Sequence, residues 1–191
     1  MRTVHRVSPI LLLLACLGSL RAQQAGMQNE WDIHKTLMAI AVHADRMVPF
    51  VEQIHPEQWV SSGAPDAYIK QAKTCRDELK GVAVAARALS QDPEKLTDTL
   101  QLLFRIRTLE MMLASLGEGL RKYQNPPMAD MLNTAVAENG GNLDHLQQYV
   151  LELATAREQE CRVADQEAQR CRQSLSRQPS RDRTAPRQEK H

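Results

Sequence analysis

Apolar residues recur along this chain at alternating steps of four and three. Ile33, Leu37, Ile40, Ala44, Met47, Val51 and Ile54 form one such series, and Tyr68, Ala72, Cys75, Leu79, Val82, Ala86 and Leu89 form a second. A third runs through Leu102, Ile106, Leu109, Leu113, Leu116, Leu120 and Tyr123. Each stripe lasts three heptads and lies on one face of a helix, the seam that antiparallel bundles bury. Abundant Ala, Leu, Gln, Glu and Arg, with little Gly and few β-branched runs, favour helix throughout.

Breaker residues divide the stripes. The stretch from His55-Pro56 to Gly63-Ala64-Pro65 separates the first two helices, and Pro65-Asp66 suits a helix start. Asp92-Pro93 predicts an N-cap followed by proline at the first helical position. Asn125-Pro126-Pro127 closes the third helix. A fourth helical region is expected from near Met128 to about Leu175, with Asn139-Gly140-Gly141-Asn142 as a kink or a break. Pro49 lacks the N–H that would bond the Asp45 carbonyl, so a bend is expected inside the first helix. The expected architecture is all-α: a four-helix up-down-up-down bundle over residues 23–175, with a long C-terminal helix. Residues 176–191, rich in Arg, Pro, Gln and Ser, are expected to form a disordered basic tail.

The first 22 residues read as an export signal. Arg2 and Arg6 precede an apolar core around Leu11–Leu14, and Leu20-Arg21-Ala22 offers a cleavage site before Gln23. Such a run is shorter than the roughly 20 residues needed to span a bilayer. Leu13-Leu14-Ala15-Cys16 offers the alternative of a bacterial lipobox, which would leave a lipid anchor on Cys16. Either outcome places the chain outside the cytoplasm, in the periplasm or beyond, or tethered to a membrane.

Charge narrows the function classes. The signal holds three arginines and no acids, so the remainder has 21 basic and 23 acidic residues. The stretch from Ser174 onward carries +3, which leaves −5 on the body. A nucleic-acid binder would carry a basic face. With seven aromatic residues in all, stacking platforms for bases or sugars are not expected either.

Several residue pairs carry ligand chemistry in other bundles. Glu52-x-x-His55 has the spacing of the di-iron element, but such sites need two of these elements and two further carboxylates. His34-x-x-x-Met38 and His43-x-x-x-Met47 resemble copper-binding pairs. Nine residues separate them, which is half a turn out of phase, so they cannot share an ion. Met111, Met112, Met128 and Met131 offer thioethers, more simply read as core filler. Met38 or Met47 with His145 supplies the ligand types of a bundle haem. Trp59, between the first two helices, is expected to fold back over the open end of the bundle. Nucleophile elbows, zinc-protease helices and phosphate loops do not occur. The expectation is therefore a non-enzyme without catalytic, cofactor or metal residues. Metal or haem binding, through His34, His43, His145 and the methionines, is the alternative.

Cys75, Cys161 and Cys171 follow the signal, and no CxxC pair is present. A helix running from Met128 to Leu175 would measure about 70 Å against about 37 Å for the first helix, so its end should overhang the bundle. The overhang has its own seam of Cys161, Ala164, Ala168, Cys171 and Leu175. Cys161 and Cys171 lie about 15 Å apart along one helix, too far for a bond with each other. Cys75 should lie far from both. Self-association or contact with an envelope protein through the overhang is expected, where a disulfide through Cys161 or Cys171 could link chains; a solvated helix end with two inert thiols is the alternative.

Pro56-x-x-Trp59, Gly63-Ala64-Pro65, Tyr68 and Asp165-x-Glu167-Ala168-Gln169-Arg170-Cys171 together resemble a family of exported bacterial helical proteins with no assigned function. The resemblance implies export and a helical fold, and it implies no site residues.

Overall fold

The computed structural model describes residues 30–177, with side chains from Asp32 onward. The expected export signal (residues 1–22), Cys16 and all but the first two residues of the expected basic tail lie outside the described residues. Among the described residues six helices follow one another: α1 (Glu30–Glu52), α2 (Pro56–Val60), α3 (Ala67–Leu89), α4 (Leu96–Tyr123), α5 (Pro126–Ala137) and α6 (Gly140–Arg177). No strand occurs among the described residues, and the protein is an all-helical bundle with a long C-terminal helix.

The three stripes form the core. Every member is buried except Tyr68 and Tyr123, which are half-buried against it. α1 packs on α3, α3 on α4 and α4 on α5, while α6 lies against both α1 and α4. Hydrogen bonds fix which ends meet. Gln124, just past α4, donates to the Gln53 carbonyl at the end of α1 (3.4 Å). At the opposite end His34 bonds the Ser90 carbonyl just past α3 (3.0 Å). There Arg157 of α6 also reaches the Glu94 carboxylate just ahead of α4 (3.1 Å).

Three boundaries differ from those expected. The first connection contains the short helix α2, whose five residues are too few to show a periodicity. It ends in a Schellman turn: Ala64 N–H bonds the Trp59 carbonyl and Gly63 N–H the Val60 carbonyl, with Gly63 at φ +88°. Secondly, Asp92 does not cap α4. Its N–H still bonds the Leu89 carbonyl, so it belongs to the unwinding end of α3, and its carboxylate pairs with Lys95 (3.0 Å). Pro93 is buried, and its carbonyl accepts from the buried Thr99 hydroxyl (3.2 Å), which delays the helix start to Leu96. Thirdly, the last helical region starts at Pro126, capped by the Asn125 side chain accepting from Met128 N–H (3.3 Å).

That region is broken rather than continuous. Glu138 and Asn139 form a turn between α5 and α6, upstream of the glycine pair, and neither glycine adopts a positive φ. Asn139 is buried and accepts from the Asn142 amide (3.1 Å), which ties the turn to the first turn of α6. α1 is assigned as one unbroken helix through Pro49, which stands so close to its end that only the final turn lacks a bond. α6 in turn reaches Arg177, past the expected limit of 175. Nothing breaks helix there before Pro179, and the Ser174 and Ser176 hydroxyls bond the Cys171 and Gln173 carbonyls within the last turns.

Candidate functional site: an aromatic plug and a projecting helix

At the end of the bundle where α1 meets α4, Trp59 is fully buried. Its indole N–H donates to Gln124 Oε1 at 2.9 Å, so the polar edge of an otherwise apolar ring is satisfied. Tyr68 meets the ring edge-on at 5.4 Å between centroids, and Tyr123 stacks at 6.3 Å. Gly119 of α4 lies beneath them: a Cβ there would stand 2.7 Å from Trp59 Cζ3 and 2.8 Å from Tyr68 Cε1. Trp59 therefore closes the end of the bundle, as expected. The supports for that closure, Gln124 and Gly119, carry no signal in the sequence, because each matters only through what stands opposite it.

The residues with ligand chemistry stand apart. Glu52 and His55 are exposed, and the Glu52 carboxylate lies 3.9 Å from Lys80. The His34 ring is held by the Ser90 carbonyl, and the Ser90 hydroxyl donates to Met38 Sδ at 3.6 Å, so Ser90 sits between the two. His43 and Met47 are buried side by side on α1, lining a void of about 30 Å³ with Val136 and Asn139. Burial lowers the His43 pKa below the usual histidine range; Arg46 adds to that shift and Glu138 opposes it. His145 is exposed on α6, and Met111 and Met131 are exposed on α4 and α5. Among the described residues no three His, Cys, Asp or Glu side chains converge as a metal-ligand group.

The cysteines divide into two kinds. Cys75 is buried in the α3 stripe, where burial and, second, the Glu78 carboxylate push its thiol up to about 11. It is therefore an inert core residue. Cys161 and Cys171 are exposed, and none of the three is bonded to another.

Both exposed cysteines lie on the part of α6 that leaves the bundle. Leu143, Leu146, Tyr149, Val150 and Leu153 are buried, and the last contact with the body is the ion pair from Arg157 to Glu94. From Glu158 to Arg177 every residue is exposed, a run of 20 residues or about 30 Å of helix. The second seam, from Cys161 to Leu175, is exposed throughout among the described residues.

No helix among the described residues is long and apolar enough to cross a membrane. No family model matches this chain, and no curated protein or solved structure is significantly similar to it.

Proposed function

We propose that this is an exported, non-enzymatic helical-bundle protein with a structural or partner-binding role in the cell envelope, exercised through the projecting part of α6. One observation carries the reading: 20 consecutive exposed helical residues extend beyond a closed core while keeping a seam of their own. In proteins most helical stability comes from packing of an amphipathic face rather than from intrinsic propensity. A segment with a face that no described residue covers is suited to a partner. Export rests on the pattern of the first 22 residues.

Two measurements test the proposal. N-terminal sequencing and mass analysis of the protein from its native source should give a chain starting at Gln23; a chain starting at a lipidated Cys16 would mean a membrane anchor instead, and an intact Met1 would overturn export. Capture from envelope extracts should compare the full chain with one ending at Arg157. Retention of a defined component by the full chain alone is expected, and identical capture by both would overturn the role of α6. A stoichiometric metal or a haem absorption band in the native protein would favour the ligand-binding class instead.

A further inference from the structure

We propose that the partner of the projecting helix is a second copy of it, packed antiparallel, with Cys161 of each chain facing Cys171 of the other. The inference rests on the partner-binding reading of α6 and specifies the partner.

Charge decides the direction. Residues 158–167 contain Glu158, Glu160, Asp165 and Glu167 against Arg162, a net −3. Residues 168–177 contain Arg170, Arg172 and Arg177 and no acid, a net +3. Antiparallel pairing lays the acidic half of one helix along the basic half of the other, and helix dipoles oppose as well. Parallel pairing lays acid on acid and base on base. It also sets the two packed bodies side by side at one end, whereas antiparallel pairing holds them at opposite ends of an overhang of about 30 Å.

The seam decides the register. In an antiparallel pair the two alternating core positions of one helix face the opposite positions of the other. Ala164 then faces Ala168 of the second copy, and the small side chains at the centre let the axes approach closely. The same register brings Cys161 opposite Cys171 of the second copy, and by symmetry this happens twice. Arg177 reaches back to the level of Thr155 of the other chain, where the packed body begins, so the described exposed stretch is covered along its length. Glu158 stands near Arg172 of the second copy. Asp165 and Glu167 each approach their own copies, a repulsion offset by Arg162 and Arg170 three residues away on the same helix.

Oxidation would lock this pair. A low-molecular-weight or protein disulfide supplies the oxidant: a Cys161 thiolate attacks one of its sulfurs and releases one thiol, and Cys171 of the second copy displaces the other. One protein disulfide forms, one oxidant disulfide becomes two thiols, and the two cysteine protons end on those thiols. Cys75 takes no part, being buried and protonated.

Oxidation of the full chain with glutathione disulfide, followed by non-reducing electrophoresis and peptide mapping, tests the arrangement. The expected product is a covalent dimer whose linked peptides join Cys161 to Cys171. Cys161→Ser alone and Cys171→Ser alone should each give no dimer, while a mixture of the two variants should give one. Both positions are exposed, so the variants keep the fold, which circular dichroism checks. A dimer formed by either variant alone would mean like-with-like pairing and overturn the antiparallel register. A chain that remains monomeric in sedimentation equilibrium, reduced and oxidised, would overturn self-association. If that monomer still retains an envelope component that the chain ending at Arg157 loses, the partner-binding reading of α6 stands without this inference; if it retains none, both fall.

Discussion

The packed body and the projecting end of α6 share the same three-four spacing and have opposite fates. In the body the seam positions are mostly Leu, Ile, Val and Met, and each fully buried large side chain contributes about 1.5–3 kcal/mol. In the projection the equivalent positions are two Cys, two Ala and a Leu, and all are exposed. Heptad spacing thus specifies helix and face in both regions, while side-chain volume decides whether the chain covers that face itself. The drive to pack against the body ends at Leu153, the last buried residue of α6.

The largest effect should come from the body. Leu113 is 3% exposed at the middle of the α4 stripe, and Leu113→Ala should lower unfolding free energy by about 2–5 kcal/mol in a denaturant titration. Ending the chain at Arg157 removes far more atoms, yet in dilute solution it should change that value by no more than about 0.5 kcal/mol. A large loss on truncation would mean that the projection packs on the body and would break the comparison.

Gly119→Ala sharpens it at the closed end. Over-packing costs about 1–3 kcal/mol and helix propensity returns about 1 kcal/mol. The steric cost should win, because the new methyl meets two rings held by each other and by Gln124. A net loss in the same titration is expected, accompanied by a change in Trp59 fluorescence. A stabilised variant would show that the plug yields.

Much of this was legible in the sequence and some was not, for identifiable reasons. Ile33 through Tyr123 announced themselves because a helix repeats every 3.6 residues, and each stripe was long enough to exclude a strand. Asp92-Pro93 misled because the same dipeptide serves a helix start and a turn; the choice was made by Thr99, six residues on, taking the Pro93 carbonyl. Composition pointed to the glycine pair as the break, whereas the buried Asn139 set it just upstream, at Glu138-Asn139. At the candidate site, spacing gave the seam of Cys161 to Leu175, but the exposure of that seam depended on where α1, α3 and α4 end. That is a property of the assembled bundle.

His43 offers a smaller, pH-dependent test. Its folded-state pKa lies below the unfolded value near 6.5 because burial disfavours the charged ring. Between the two values the unfolded chain binds more protons, so stability rises with pH there. The contribution is complete above pH 6.5 and is lost as pH falls through that value toward the folded pKa. His43→Gln should flatten the decline measured between pH 7.5 and 5.5. The chain ending at Arg157 keeps His43 and everything packed around it, so it should retain the wild-type slope; a flattened slope in that truncated chain would assign the effect elsewhere.

The smallest effect concerns the joint between α5 and α6. Gly140 and Gly141 both have helical backbones, and an added Cβ at either meets nothing within 4 Å. Neither glycine is needed for the turn, which Asn139 makes upstream of them. Gly in a helix costs roughly 0.5–1 kcal/mol relative to Ala, mainly through the entropy of the unfolded chain. Gly141→Ala should therefore raise unfolding free energy by about that amount, and Gly140→Ala by no more. The gain belongs to the packed body, since Leu143 and Leu146 anchor the same helical turns. It should appear equally in the full chain and in the chain ending at Arg157. A gain seen only in the full chain would mean that order in the projection is coupled to the joint, and that the two regions of α6 are one cooperative unit.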